Sequence, residues 1–106
     1  MDFFITLKRR FIARKFRSKD WHIIQHIPFK AFETLINDYV ENGWEIESDY
    51  HPLKPECSKW QCKLRKGSTV LSCIWRKNAQ GEVVGIARVV DSIGAALNIP
   101  VYPQPQ

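Results

Sequence analysis

The apolar residues of this chain change their spacing at Gly43, and this change constrains the fold more than any other feature of the sequence. Between Pro28 and Asn42 the apolar residues recur as they do on one face of an α-helix, at Phe29, Phe32, Leu35, Ile36, Tyr39 and Val40. From Trp44 to Tyr50 they alternate with polar residues, which is typical of a strand with one buried face. A helix followed at once by such a strand predicts a helix packed on a sheet.

The alternation continues beyond this point. Three more strands are predicted, at residues 58–65, 68–76 and 82–90. A further strand from Trp21 to Ile27 precedes the main helix, and Asp91 is a suitable N-cap for a short helix at residues 92–98. We therefore predict an α+β fold of order β-α-β-β-β-β-α, in which a single antiparallel sheet of four or five strands is packed by one main helix.

The length of 106 residues allows one domain, because two hydrophobic cores would each be too small to be stable. We divide the chain into a basic, helical N-terminal arm at residues 1–20, an α+β domain at residues 21–99 and a proline-rich tail at residues 100–106. The tail is expected to run extended and to be disordered toward its end. No apolar run approaches the roughly 20 residues that a membrane-spanning helix needs.

The arm carries the whole excess of positive charge. The chain has 16 Lys and Arg against 11 Asp and Glu, a formal net charge of +5. The arm contains seven Lys and Arg and two acids, Asp2 and Asp20, so its formal charge is +5 and the remainder of the chain is electrically neutral. The positive residues of the arm, which are the candidate nucleic-acid-binding residues, are Lys8, Arg9, Arg10, Arg14, Lys15, Arg17 and Lys19. Such an asymmetry indicates an anionic partner.

A helical arm has two apolar stripes, consisting of Phe4, Leu7 and Phe11, and of Ile5, Ile12 and Phe16. One stripe can pack on the domain while the other stays free. Arg10, Arg14 and Arg17 lie in a row, and guanidinium groups pair well with phosphates. We therefore expect a binding module that contacts nucleic acid without strong base readout. The alternatives are an anionic membrane surface, and an arm that only keeps a neutral domain soluble.

A second candidate surface is the face of the sheet opposite the main helix. Its predicted apolar residues form the candidate interaction face, which consists of Val70, Ile74, Val83, Ala87 and Val89. A solvated sheet face would be more polar, so something should cover it. We favour cover by the C-terminal helix over cover by a second copy of the chain. The alternative function is therefore that of a protein-interaction, adaptor or inhibitor domain.

The sequence shows no catalytic constellation, and we expect neither an enzyme nor a metal or other cofactor. Glu45, Glu47 and Asp49 lie along one strand face, but the basic residues of the next strand explain them as cross-strand ion pairs. If Lys66 and Gly67 form a two-residue turn between the strands at residues 58–65 and 68–76, Cys62 and Cys73 are diagonal neighbours, which does not suit a disulfide. Trp44, Trp60 and Trp75 are expected in the core, because they all occupy inward strand positions.

Two observations concern the compartment. The apolar stretch at residues 3–7 precedes the basic residues, which is the reverse of the order in a secretory signal. The three cysteines, Cys57, Cys62 and Cys73, are too few, and odd in number, for a disulfide-stabilised secreted domain. We therefore expect a cytoplasmic protein.

Overall fold

The computed structural model describes residues 2–106, with side chains from Lys8 onward, and confirms the predicted α+β class and element order. The elements are α1 (Asp2–Lys19), β1 (Trp21–Ile27), α2 (Phe29–Glu41), β2 (Glu45–Ser48), β3 (Lys59–Lys66), β4 (Thr69–Arg76), β5 (Gln80–Ile86) and α3 (Ala87–Leu97). The strands form one antiparallel sheet in the order β1-β5-β4-β3-β2. None of the helices in residues 2–106 is both long and apolar enough to cross a membrane.

The hydrophobic core lies on one face of the sheet, which we call the covered face. The Phe32 ring of α2 lies edge-on to Trp60, with 6.4 Å between the ring centroids, and 6.0 Å from Trp75. Gly81 makes room for this ring, because a Cβ there would lie 2.5 Å from the Phe32 Cδ1. The indole N–H groups of both buried tryptophans donate to backbone carbonyls of the β2–β3 loop, at 2.9 and 3.3 Å. The prediction of core positions is thus confirmed for two of the three tryptophans, whereas Trp44 is half-buried at the edge of the core.

The turn between β3 and β4 differs from the prediction by one position. Lys66 pairs with Thr69, so the two turn residues are Gly67 and Ser68. Gly67 has a φ of +62°, which a two-residue hairpin turn requires at this position and which favours glycine. The shift moves each partner by two residues, so inward residues still face inward, but it places Cys62 directly opposite Cys73. The predicted diagonal relation of these cysteines was therefore wrong.

The largest departure from the predicted elements is at the end of the sheet. The fourth strand of the predicted meander was expected to run to Val90, but β5 ends at Ile86 and α3 begins at Ala87. The N-cap position, Ile86, makes no side-chain capping bond, and the Ala87 N–H instead donates to the carbonyl of Asp20 at 2.8 Å. The helix start is thus stabilised by a residue distant in sequence, which local capping signals do not reveal.

This change alters the face of the sheet opposite α2, which we call the reverse face. Val70 and Ile74 lie on this face, as predicted, and both are half-buried. Val83 does not, because it pairs with Cys73 and is fully buried on the covered face. Ala87 and Val89 belong to α3 and to no strand. The five residues of the predicted interaction face therefore do not form one surface.

The C-terminal helix does not cover the reverse face, contrary to the prediction. Val90 and Ile93 of α3 join the same core as Phe32, so α3 lies beside α2 on the covered face. At one corner of the reverse face, Phe16 of α1 packs on Trp21 of β1. The rest of that face carries the outward side chains of the strands.

The two edges of the sheet are different. At one edge, the tail residue Tyr102 pairs with Ile23 of β1 through two backbone hydrogen bonds of 2.9 Å. At the other edge, β2 is only four residues long and all of it is exposed, because α2 packs over β3 and β5 and does not extend above it. The predicted inward side of this strand is therefore open, and the Ile46 side chain is exposed.

Candidate nucleic-acid interface

Helix α1 contacts the domain through the C-terminal part of one side. Phe16 is 7% exposed, and its ring meets Trp21 edge-on with 5.6 Å between the ring centroids. Ile12 and Ala13, one turn earlier, are half-buried, and Arg9 is exposed. The burial of α1 side chains therefore decreases from Phe16 toward the start of the helix. The side chains of Phe4, Ile5 and Leu7, which complete the predicted stripes, lie outside the described part.

The end of α1 is held by backbone and side-chain contacts. Asp20 adopts a left-handed conformation with a φ of 56°, and this turns the chain from α1 into β1. Its carbonyl accepts the N–H of Ala87, which ties the turn to the start of α3. Two residues later, the His22 Nδ1 and the Asp91 Oδ1 are 2.7 Å apart, a second link between the same two regions. The turn between α1 and β1 is thus tied to α3 by hydrogen bonds.

All seven basic residues of the arm are exposed: Lys8, Arg9, Arg10, Arg14, Lys15, Arg17 and Lys19. Of the side chains that the structure describes, no carboxylate lies within 4.0 Å of any of them. The arm is therefore not neutralised by the described acids of the body.

The helix arranges six of these cations in two rows. Arg10, Arg14 and Arg17 form one row, about 10 Å long at 1.5 Å per residue. The lysines Lys8, Lys15 and Lys19 form the other. Within this second row, the Lys15 Nζ lies 5.7 Å from the centre of the Trp21 ring, so this ammonium already makes a cation–π contact. The arginine row is therefore the better candidate for phosphate contacts.

An exposed aromatic ring accompanies the cations. Phe11 is 62% exposed, and a shallow depression of about 370 Å³ beside it is lined by Phe11, Ile12, Arg14, Lys15 and Ser18. An exposed ring between cations can stack on an unpaired base or enter a lipid headgroup layer.

The acidic residues Glu45, Glu47 and Asp49 do not form the predicted cross-strand ion pairs. Glu45 lies opposite Arg65 and Glu47 opposite Lys63, as a cross-strand explanation requires, although the charged groups are not within 4.0 Å. Asp49 accepts a hydrogen bond from the backbone N–H of Gln61 at 3.1 Å.

The cysteines are buried or half-buried free thiols. A hydrogen bond with Cys62, together with burial, raises the pKa of the Cys73 thiol well above its ordinary value. Such a thiol stays protonated and is a poor nucleophile. Among the described residues, no three His, Cys, Asp or Glu side chains are grouped as a metal site would require.

Comparison with known proteins gives no relative: no protein family, no curated protein and no solved structure matches the chain.

Proposed function

We propose that the protein is a small binding module whose helix α1 contacts the phosphates of a nucleic acid without strong base readout. The observation that carries the proposal is the exposure of all seven cations of the arm, with no described carboxylate in contact with them. An unpaired row of arginines suits phosphates, because each guanidinium can donate two parallel hydrogen bonds. Phe11 adds a ring for an unpaired base. No catalytic step, metal or other cofactor is part of the proposal.

The cytoplasm is the proposed compartment. All three thiols are free, which is the usual state in a reducing environment.

A second candidate is a protein-interaction domain that uses the reverse face, with a homodimer as one form. The supporting observation is the half-buried state of Val70 and Ile74 on that face, where no helix of the domain covers them as α2 covers the other face. Sedimentation of the full chain at micromolar and at lower concentrations tests this candidate. A strict monomer argues against the homodimer.

The salt dependence of binding tests the first proposal. We expect the full chain to bind a fluorescent duplex or single strand, with an affinity that falls steeply between about 50 mM and about 200 mM salt. The variant Arg10→Gln/Arg14→Gln/Arg17→Gln should reduce the slope of log K against log salt by about 2.7 for duplex DNA, since each phosphate contact contributes about 0.9.

The matched control replaces three exposed lysines of the body, in Lys54→Gln/Lys59→Gln/Lys77→Gln. It has the same net charge as the arginine variant and should largely retain the slope. Equal losses in both variants, or binding that ignores salt, contradict the proposal. Binding to anionic vesicles without binding to nucleic acid contradicts it as well, and indicates a membrane-surface helix.

A further inference from the structure

A cleft separates α2 from α3 on the outer side of the covered face. It consists of two adjoining cavities of about 360 Å³ and about 460 Å³. Tyr39 and Ser92 line both of them, so the two cavities adjoin at these residues. Each volume is within the range of small-molecule sites in proteins.

The first cavity is an apolar slot. It is open because small side chains of the two helices face each other, namely Ala31 and Thr34 from α2, and Ser92 and Ala96 from α3. The buried side chains of Leu35 and Ile93 form its floor. The slot therefore offers apolar surface that water covers poorly, and an aliphatic chain fits it.

The second cavity is an aromatic and cationic end. Tyr39 and Trp44 pack together there with 5.1 Å between their ring centroids. Arg88 lines the cavity, is exposed, and has no carboxylate within 4.0 Å among the described side chains. The Lys66 Nζ lies close by, since it donates to the carbonyl of Asn42 at 3.3 Å. This end of the cleft therefore attracts an anionic group.

The charges of the cleft also disfavour a basic helix as its occupant. A basic helix, such as α1 of a second copy, would meet Lys30 at one end of the cleft and Arg88 at the other. Asp38, the acid in the lining, belongs to the slot and not to the Arg88 end. The cleft thus has a cation at each end: Lys30, which pairs with Glu33 at 3.5 Å, and Arg88, which has no described carboxylate within 4.0 Å.

We infer that the cleft binds a small amphipathic anion, whose apolar body lies in the slot and whose carboxylate or phosphate contacts Arg88. Along α3 the distance from Arg88 to Ala96 is about 12 Å at 1.5 Å per residue, which is comparable to the length of an extended octyl chain together with its anionic head group. This site lies outside the arm and does not depend on the proposed nucleic-acid binding.

Calorimetric titration of the full chain with octanoate, octyl phosphate and octanol tests the inference. We expect octanoate or octyl phosphate, whichever carries the preferred head group, to bind at least about tenfold more tightly than octanol. Binding should also perturb the backbone amide resonances of residues 88–97 in the nuclear magnetic resonance spectrum. Equal binding of octanol, or no binding of any probe at millimolar concentration, overturns the inference.

Two pairs of variants locate the site. Ala96→Phe fills the slot and should abolish binding, whereas Ala95→Phe, exposed and outside the lining, should not. Arg88→Gln should weaken the binding of the anions about fivefold to tenfold and leave octanol unchanged, while Lys77→Gln has no effect. Equal effects within a pair contradict the assignment. Nucleic-acid binding should be the same in all four variants, so failure of either proposal is visible without the other.

Discussion

Helices α1 and α2 are the longest in the described chain, and they use their apolar residues in opposite ways. The 13-residue α2 buries Phe32, Leu35 and Ile36 in the core. In the described part of the 18-residue α1, Phe16 is the one buried side chain, and Phe11 points to solvent. Tertiary packing of an apolar face is what usually stabilises a helix of this length, and α2 follows that rule.

The charges sharpen the difference between the two helices. On α1, Arg10, Arg14 and Arg17 are spaced four and three residues apart, so they are neighbours on the helix surface and repel one another. On α2, Lys30 pairs with Glu33 at 3.5 Å. An anionic partner would relieve the repulsion on α1, and nothing comparable is needed on α2. Stability and the proposed binding are therefore carried by different parts of the molecule.

The largest expected effect comes from removing the central ring of α2. Phe32→Ala should lower the free energy of unfolding by about 3–5 kcal/mol, because it leaves a cavity between two tryptophans. Phe11→Ala on α1 should change it by less than about 0.5 kcal/mol. Urea unfolding followed by tryptophan fluorescence measures both. Comparable losses in the two variants break the comparison.

A smaller effect is expected where α1 meets the domain. Phe16→Ala should cost about 1–2 kcal/mol, because this ring is buried against Trp21 at the corner of the sheet and not in the main core. Amide hydrogen exchange should become faster along α1 and stay unchanged in α2. Unchanged exchange in α1 would mean that the contact with Trp21 does not hold the helix.

The smallest effect is the pH dependence of the free energy of unfolding, which we expect from the buried thiol of Cys73. The pKa of Cys73 is raised in the folded state, so folding favours the protonated thiol. The contribution of Cys73 to the free energy of unfolding is fully present below the ordinary thiol pKa of about 8.5. It is lost as the pH rises beyond that value, by at most about 1.4 kcal/mol per pH unit.

Unfolding experiments between about pH 8 and about pH 9 measure this slope before tyrosine ionises appreciably. Cys73→Ala should remove this contribution, and Cys57→Ala should retain it, because Cys73 is still present. A slope that survives Cys73→Ala assigns the pH dependence to another group.

Much of the fold could be predicted from residue spacing. The period of three to four residues defined α2, and the alternation in β3 and β4 placed Trp60, Cys62, Leu71 and Trp75 on the correct face. These patterns are readable because each element buries one face only.

Predictions failed where a distant contact or an unusual backbone conformation decides the structure. The segment from Ala87 to Val90 contains two β-branched residues, which favour a strand. In the structure it is helical, because the Asp20 carbonyl accepts the N–H of Ala87 and stabilises the start of α3. Gln80 adopts a φ of +66° at the start of β5, and this turn places Val83 opposite Cys73. The cleft was not visible in the sequence, because Arg88 was predicted to lie in a strand and Trp44 in the core, whereas Arg88 lies in α3 and Trp44 is half-buried.

The way in which the two edge strands are protected from pairing with another molecule has a consequence for the protein at high concentration. The border at β1 is occupied by the chain's own Tyr102. At the β2 border, antiparallel pairing of two molecules about Ile46 would bring Glu45 of each against Glu47 of the other, and like charges in such positions repel. Growth of the sheet from molecule to molecule, the first step toward amyloid-like fibres, is thus opposed at both ends while the native state persists.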